Sequence, residues 1–297
     1  MPDFSQNFNR YSYCLNNPLV YVDEDGELFI IDDWIGGFFR GLVQGGVKNA
    51  WRTANKQAGI SAKIWGGLFI ADKNKNFIGK VGEIFSRFTR QLPQTLAGFL
   101  GAHGTNMAGT AERVDYKYGA TVVKTDGNWG GITLGSYIIG DNTIEAHPDN
   151  SLFQHEYGHY LQSQSMGWAY LPRVGIPSLL STGTHNYHPV EQDANARAIR
   201  FFHERTEGNF KWYFKENPIG VKENNWTMND YDTEEFQRAL RTIRLQVKVS
   251  IKDYISWVSF PFVVMTGINN GALYNGQPPY WRRSEKTGRT GRSSIKY

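Results

Sequence analysis

The chain has 297 residues, 40% of them hydrophobic and 14% aromatic, and this composition excludes a disordered or low-complexity protein. The single cysteine, Cys14, excludes both a disulfide framework within the chain and a zinc site built from several cysteines. The net charge is +4, but residues 282–297 hold six Lys or Arg and only one acid. The rest of the chain is therefore close to neutral, and nucleic-acid binding is not expected.

The first 27 residues are polar and rich in turn formers, with Asn-Asn-Pro at 16–18 and Asp-Glu-Asp-Gly at 23–26. Residues 9–26 resemble the end of the core of Rhs (YD-repeat) proteins, whose pattern is N-x-Y-x-Y-x-x-N-N-P-x-x-Y-x-D-P-x-G. The matching positions are Asn9, Tyr11, Tyr13, Asn16, Asn17, Pro18, Tyr21, Asp23 and Gly26. Glu24 stands where the family has proline.

That resemblance implies a place for this chain in a larger assembly. In Rhs proteins the junction separates a β-shell delivery module from a variable C-terminal domain, often a toxin. Residues 1–27 are then the remnant of the core, and the rest is an effector with a cognate immunity protein. Residues 1–20 lack a basic start followed by an apolar stretch, so we expect a cytoplasmic protein that is exported by other means.

Residues 28–110 are predicted to form amphipathic helices with many glycines between the apolar positions. Apolar residues recur at helical spacing in two places. They are Trp34, Ile35, Phe38, Phe39, Leu42 and Val43, and then Val81, Ile84, Phe85 and Phe88. Such stripes usually face a core, but a membrane-active or translocation segment is the alternative, which leaves membrane contact open.

Residues 111–281 are predicted to form one domain, with strands first and helices after them. Residues 114–124 and 132–139 are rich in β-branched and aromatic residues, which predicts two or three strands. Helical patterns follow at 151–165, 189–207 and 232–247. The apolar stretch 254–268 is too short to span a membrane and contains Pro261. Residues 282–297 are expected to be a flexible, basic tail.

The candidate chemistry lies in an H-E-x-x-H motif at residues 155–159. On a helix capped by Asn150 or Ser151, His155 and His159 project from one face, one turn apart, as two ligands of one zinc ion must. Glu156 then lies beside the metal as a general base. An ordinary pair of surface histidines is the alternative for the motif by itself.

The third ligand is predicted from the residues that follow. Gln162 and Ser165 stand where a metzincin needs glycine and a third histidine, so that class is excluded. Glu191 opens an E-x-x-A-x segment after His188-Pro189, which favours a helix start. Together, His155, His159 and Glu191 resemble the triad of gluzincins. The alternative is that Glu191 is a surface acid interacting with the helix dipole.

Other side chains are candidates for supporting roles. One of His185, Tyr187 and His188 is expected to stabilise the oxyanion, although His188 could instead be a fourth ligand that closes the site. Asn195 or Asp193 could accept the second N–H of a ligand histidine.

These patterns predict an α+β, zincin-like fold with a small, mostly antiparallel sheet over the H-E-x-x-H helix and a helical C-terminal subdomain. The resemblance to zincins implies that strand 132–139 pairs with an extended protein or peptide substrate. The predicted function is that of a zinc-dependent metallopeptidase of gluzincin type, acting as an Rhs effector. A membrane-active module and a zinc-stabilised binding domain without turnover are the alternatives.

Overall fold

The computed structural model describes residues 27–181, 185–220 and 225–243. The Rhs-like segment 9–26, the apolar stretch 254–268 and the basic tail 282–297 lie outside the described residues. The described chain is an α+β structure, with three helices before a four-stranded sheet and helical segments after it. This order agrees with the predicted class.

Helix α1 (Glu27–Gly66) is a hairpin of two halves. It is interrupted at Gly45 and Gly46, and Gly46 has a φ of 75°, a left-handed conformation that favours glycine. A Cβ on Gly41 would lie 2.6 Å from the carbonyl oxygen of Asn49, and one on Gly37 would lie 2.9 Å from Cα of Ala54. Glycines that would weaken an isolated helix therefore allow its two halves to pack closely.

Two further helices complete the N-terminal region. Helix α2 (Phe77–Arg87) is capped by Asn76, whose side chain accepts a hydrogen bond from the Gly79 amide. Helix α3 (Leu92–Ala108) ends at Gly109, which adopts the left-handed conformation. The helical spacing found in both parts of residues 28–110 thus corresponds to helices in the structure.

The sheet contains β1 (Ala111–Lys117), β2 (Ala120–Thr125), β3 (Gly131–Leu134) and β4 (Tyr137–Gly140), in the spatial order β1-β2-β4-β3. The expectation of two or three strands is therefore wrong. Tyr118 and Gly119, and then Gly135, have positive φ values of 50°, 85° and 63°. Each pair of strands is folded back by a tight turn where the sequence suggests one continuous strand.

The sheet is mostly antiparallel, as the sequence predicts, but it contains one parallel pair. The β1–β2 and β3–β4 pairs are antiparallel, but β2 and β4 run parallel, with Val122 opposite Ile138. The parallel pair arises because the hairpins β1–β2 and β3–β4 are joined by pairing between their second strands, β2 and β4. As a consequence β3 forms one edge of the sheet, and Thr133 of this strand donates a hydrogen bond to the Glu156 carbonyl in the helix of the H-E-x-x-H motif.

Both faces of the sheet are covered. On one face, Ile60 and Ile64 of α1 and Phe99 of α3 pack against apolar residues of β1, β2 and β4. On the other face, Val122 and Ile138 pack in one core with the helices that follow the sheet. This arrangement explains why β2 and β4 are almost wholly buried, as strands covered on both faces are.

The remaining elements are helical. Helix α4 (Ser151–Met166) leads into a 3₁₀ turn (Gly167–Ala169), a π-helical turn (Leu171–Gly175) and the short α5 (Ile176–Leu180). A 3₁₀ turn (His185–Tyr187) precedes α6 (Pro189–Thr206). Another (Met228–Asp230) precedes α7 (Glu234–Ile243).

Helices α4 and α6 make the closest helix pair around the sheet. A Cβ on Gly158 would lie only 2.2 Å from the carbonyl oxygen of Ala194. Only glycine therefore permits this distance between the two backbones. The contact brings the third turn of α4 against the first turns of α6.

Candidate metal centre

The two motif histidines lie on one face of α4, as their spacing predicts. Asn150 caps the helix, and its side chain accepts a hydrogen bond from the Phe153 amide at 2.9 Å. The ring centroids of His155 and His159 are 4.9 Å apart. Both Nε2 atoms point toward α6.

Helix α6 brings Glu191 to these histidines. His188 caps the helix and Pro189 occupies its first turn, so Glu191 is fixed one turn from the start. Its side chain is fully buried, which excludes the interpretation as a surface acid. Glu191 Oε2 lies 3.1 Å from His155 Nε2 and 2.9 Å from His159 Nε2.

The second nitrogen of each histidine is held by an amide oxygen. His155 Nδ1 lies 2.9 Å from Asn195 Oδ1, and His159 Nδ1 lies 2.8 Å from Gln162 Oε1. Because these oxygens only accept, each imidazole donates its Nδ1–H. The amide orientations are fixed as well, since Asn195 donates to the carbonyl of Pro218 and Gln162 to that of Val190.

Three acceptors consequently converge on one point. Because Nδ1–H of each ring donates a hydrogen bond to an amide oxygen, Nε2 of the neutral imidazole carries a lone pair, which points toward the oxygen of Glu191. Each Nε2 lone pair, 3.1 or 2.9 Å from that oxygen, is repelled by it unless a positive charge lies between them, either as protons on the imidazoles or as a cation. The donor set of two imidazoles and one carboxylate fits a transition-metal ion of the zinc type.

The electrostatics of the protonated form lead to the same conclusion. Burial by itself lowers the pKa of His155, but the hydrogen bond and the negative charge of Glu191 outweigh it and raise this pKa to about 9. Burial also raises the pKa of Glu191, but the charge of His159 and the hydrogen bonds from both histidines hold it well below its ordinary value. His155 beside the ionised Glu191 therefore binds a proton, and with it a positive charge, more tightly than an isolated imidazole does.

A third histidine extends the cluster. Glu191 Oε1 is buried and has no hydrogen-bond partner among the described residues, and His185 Nδ1 lies 3.8 Å from it. One ligand atom of each of His155, His185 and Glu191 lies within 4.8 Å of the other two, and this group does not include His159. This group could hold a metal ion.

Glu156 lies next to the cluster without joining it. It is 4% exposed, and its Oε2 accepts a hydrogen bond from the Thr133 hydroxyl of β3 at 2.6 Å. A Cβ on Gly131 would lie 2.8 Å from Glu156 Oε1, so this glycine leaves the second carboxylate oxygen accessible. In the edge strand, Thr133 thus holds the Glu156 carboxylate, and Gly131, which has no side chain, avoids a clash with it.

A cavity of about 420 Å³ opens beside these residues. Its polar end contains His155, Glu156, His159 and His185. The remaining lining residues are uncharged and come from the edge strand and the helical turns after α4: Trp129, Gly131, Ile132, Thr133, Leu134, Tyr170, Leu171, Gly175, Ile176, Ser178, Leu179 and Ser181. Tyr170 donates a hydrogen bond to the Thr133 carbonyl at 2.8 Å and joins the two walls.

The three candidates for oxyanion stabilisation are separated by the structure. His185 lines the cavity, and its Nδ1 is hydrogen-bonded to the Ser181 hydroxyl. Tyr187 and His188 are not among the lining residues. The Nδ1 of His188 accepts a hydrogen bond from the Val190 amide at 3.4 Å as the cap of α6, so His185 is the better placed of the three.

Sequence reasoning missed three contributors to this arrangement. Gln162 lies one turn after His159 on the same face of α4, so its role could have been found from helical spacing. Thr133 and Tyr170 had no such signal, because their contacts depend on how β3 and the π-helical turn lie beside α4. Of the two predicted acceptors for a histidine N–H, Asn195 has that role, whereas Asp193 accepts from Gln162.

Comparison of the chain with models of known protein families, with curated proteins and with solved structures finds no match.

Proposed function

We propose that this chain is a zinc-dependent metallopeptidase. The observation that carries the proposal is that His155 Nε2 and His159 Nε2 each lie about 3 Å from Glu191 Oε2, with both second nitrogens held by amide oxygens. Three protein ligands leave a coordination position open, which is typical of catalytic zinc and not of structural zinc. The adjacent cavity and Glu156 supply the rest of a hydrolytic site.

Zinc is the metal that best suits this donor set. When bound, it would supply Lewis acidity, which polarises the scissile carbonyl and makes a water molecule more acidic. The chain's own residues would perform the proton transfers. Glu156 is the general base: Thr133 holds one carboxylate oxygen, and the other is free to accept the proton and return it to the leaving amine.

The edge strand that lines the cavity supports a peptide as the substrate. Residues 131–134 of the edge strand line it, and β3 pairs with only β4 among the described strands. An extended chain can therefore add to this edge through main-chain hydrogen bonds. Its scissile carbonyl would lie between Glu156 and His185, and His185 is our candidate for the donor that stabilises the oxyanion.

The biological setting is proposed from the Rhs-like segment 9–26. We infer an effector that is carried by an Rhs-type shell and delivered into target cells, and that is neutralised in the producing cell by a cognate immunity protein. Co-purification of the chain with the product of an adjacent reading frame, and loss of its toxicity on co-expression, would test this setting separately from the chemistry.

Glu156→Gln tests the mechanism. The variant should bind zinc as the wild type does but lose peptide hydrolysis by at least about a hundredfold, because the amide cannot take a proton. Glu235→Gln, an exposed acid on α7, is the matched control and should remain active. New protein N-termini in a bacterial lysate, mapped by mass spectrometry, should occur with wild type and control only. Full activity of Glu156→Gln would refute the mechanism.

The position of His185 favours one other candidate function. If His185 binds the metal as a fourth ligand, the site is closed and the domain is a zinc-stabilised binding module without turnover. His185→Ala distinguishes the two functions. As an oxyanion donor, His185 should affect kcat by about ten- to a thousandfold and leave zinc affinity unchanged. As a ligand, it should lower zinc affinity and change the number of imidazoles seen by X-ray absorption.

A further inference from the structure

The outer surface of the α1 hairpin is unusually apolar. Phe39 and Val43, which precede the interruption, are 62% and 89% exposed, and Val47 and Trp51, which follow it, are 61% and 52% exposed. Phe39 and Val43 continue the line of Ile31 and Ile35 on the first half, four residues apart, and Val47 and Trp51 are four residues apart on the second half. These exposed residues are called the stripe. Contiguous exposed apolar surface of this kind marks an interaction site.

The stripe is also held rigidly. Trp34 stacks on Phe38 at 5.5 Å between ring centroids, and both rings contact Trp51 edge-on from the opposite half of the hairpin. These contacts tie the two halves together directly beneath the exposed residues. The apolar surface is therefore a fixed feature of the folded hairpin.

The hairpin is basic from residue 34 onward, whereas its three acids, Glu27, Asp32 and Asp33, lie at the start of the first half. Residues 34–71 contain five basic residues and no acidic one. Three of the five, Lys48, Arg52 and Lys56, are exposed on the second half of the hairpin, next to Val47 and Trp51. A solvated helix face normally mixes both signs, whereas apolar and aromatic residues flanked by Lys and Arg are typical of a helix lying in the interface of an anionic bilayer.

The chain's own basic segment does not suit this surface. Residues 282–297 carry a net charge of +5, so they do not complement the basic part of the hairpin. An anionic partner does. None of the helices within the described residues combines the length and the hydropathy needed to cross a membrane.

We propose that the α1 hairpin is a docking surface for an anionic lipid bilayer, with Phe39, Val43, Val47 and Trp51 in the interface and Lys48, Arg52 and Lys56 at the lipid headgroups. The proposal is independent of the metal centre, which involves helices α4 and α6. It gives the hairpin a function in holding the protein at a bacterial membrane, whose surface is anionic.

The test uses the full chain and two kinds of vesicle. Wild type should co-sediment with vesicles of phosphatidylcholine and phosphatidylglycerol in equal parts, and not with phosphatidylcholine alone. Binding should weaken strongly between about 0.05 M and about 0.5 M salt, because the Debye length shortens. Equal binding to both vesicles, or no binding to either, would overturn the proposal.

Matched variants assign the binding to the hairpin. Lys48→Gln, Arg52→Gln and Lys56→Gln combined should lower the partition coefficient about a hundredfold. The control combines Lys215→Gln, Arg238→Gln and Arg241→Gln, which are also exposed and change the net charge equally. The control should bind like wild type, and equal loss in both triple variants would mean that only overall charge matters, contrary to the proposal.

A probe at Val43 tests the apolar half of the proposal. In a Cys14→Ser background, a polarity-sensitive fluorophore on Val43→Cys should shift to the blue on addition of anionic vesicles, and one on Lys215→Cys should not. If double-stranded DNA or heparin produces the same shift, the surface binds polyanions in general and the lipid assignment is wrong. If the Val43 probe is already shielded without vesicles, another part of the chain covers the surface and the assignment is also wrong.

Discussion

His155 and His159 owe their orientation to two amide side chains. Asn195 and Gln162 fix which nitrogen carries the proton and leave Nε2 of each imidazole facing Glu191. Gln162 is itself held by the Val190 carbonyl and by Asp193, so the hydrogen bonds of α6 determine the ring position on α4. With Nδ1 of both rings held in this way, the two Nε2 atoms would not need to reorient in order to bind a metal ion.

Gln162→Ala should therefore weaken zinc binding about ten- to a hundredfold, the usual effect of losing the partner of a ligand histidine. Competition with a chromophoric chelator measures the affinity. Gln164→Ala is the matched control, because Gln164 lies on the same helix but bonds to Tyr160 and Glu83, away from the histidines. An unchanged zinc affinity of Gln162→Ala would mean that the amide does not orient His159.

At the scale of elements, the centre depends on how closely α4 and α6 approach. Gly158 allows the Ala194 backbone to lie against α4, and this distance sets the separation of the histidines from Glu191. The edge strand β3 closes the other side through Thr133 and Glu156. Each of the three elements thus contributes one part of the proposed site: α4 the two histidines and Glu156, α6 the Glu191 carboxylate, and β3 the hydrogen bond to Glu156.

Gly158→Ala should destabilise the fold by about 1–3 kcal/mol, because its Cβ would overlap the Ala194 carbonyl and push the helices apart. Zinc affinity should fall with it. Gly82→Ala on α2 is the control, since its Cβ would meet nothing within 4 Å, and it should be neutral or stabilising by up to about 1 kcal/mol. Urea unfolding of both variants measures the difference, and equal stabilities would contradict the close approach.

At the scale of the whole molecule, the sheet separates the two proposed functional regions. The α1 hairpin and α3 cover one face, and α4 and α6 cover the other, so the proposed lipid surface and the proposed catalytic centre are built on different sides of one sheet. A loss of one should leave the other intact unless the common core unfolds. This independence makes the proposals separately testable.

The stability of the metal-free protein should depend on pH in a direction set by the cluster. The pKa of His155 is raised from 6.5 to about 9, so its contribution is complete below about pH 6.5 and is lost as pH rises through about 9. The lowered pKa of Glu191 makes its contribution present above about pH 4.5 and lost as pH falls. The metal-free protein should thus be most stable between about pH 4.5 and about pH 6.5, where both contributions are present.

Zinc should remove the loss at high pH, because the metal takes the place of the protons. Thermal unfolding of chelator-treated and zinc-loaded protein between about pH 5 and 9 measures both effects. The two Tm curves should diverge as pH rises. Parallel curves would show that the cluster does not exchange protons for metal.

The sequence by itself determined the local features whose cause lies within one element. The helices at α4, α6 and α7, a cap at Asn150 or Ser151, and the projection of His155 and His159 from one face all follow from spacing and residue type. The interval to Glu191 and the helix start at His188-Pro189 predicted a ligand that the structure places against both histidines. The proposed chemistry was available from these residues.

Only the tertiary structure decided the features that join distant segments. Each predicted strand is divided in two, at Tyr118–Gly119 and at Gly135, and β2 pairs with β4 in parallel. Because both faces of the sheet are covered, strands β2 and β4 have no alternation of apolar and polar residues from which these features could be predicted. Thr133 on Glu156, and His185 in preference to Tyr187 and His188, depend on contacts across the cavity. Periodicity reports which side of an element is apolar, whereas the partner across a cavity is set by packing between elements.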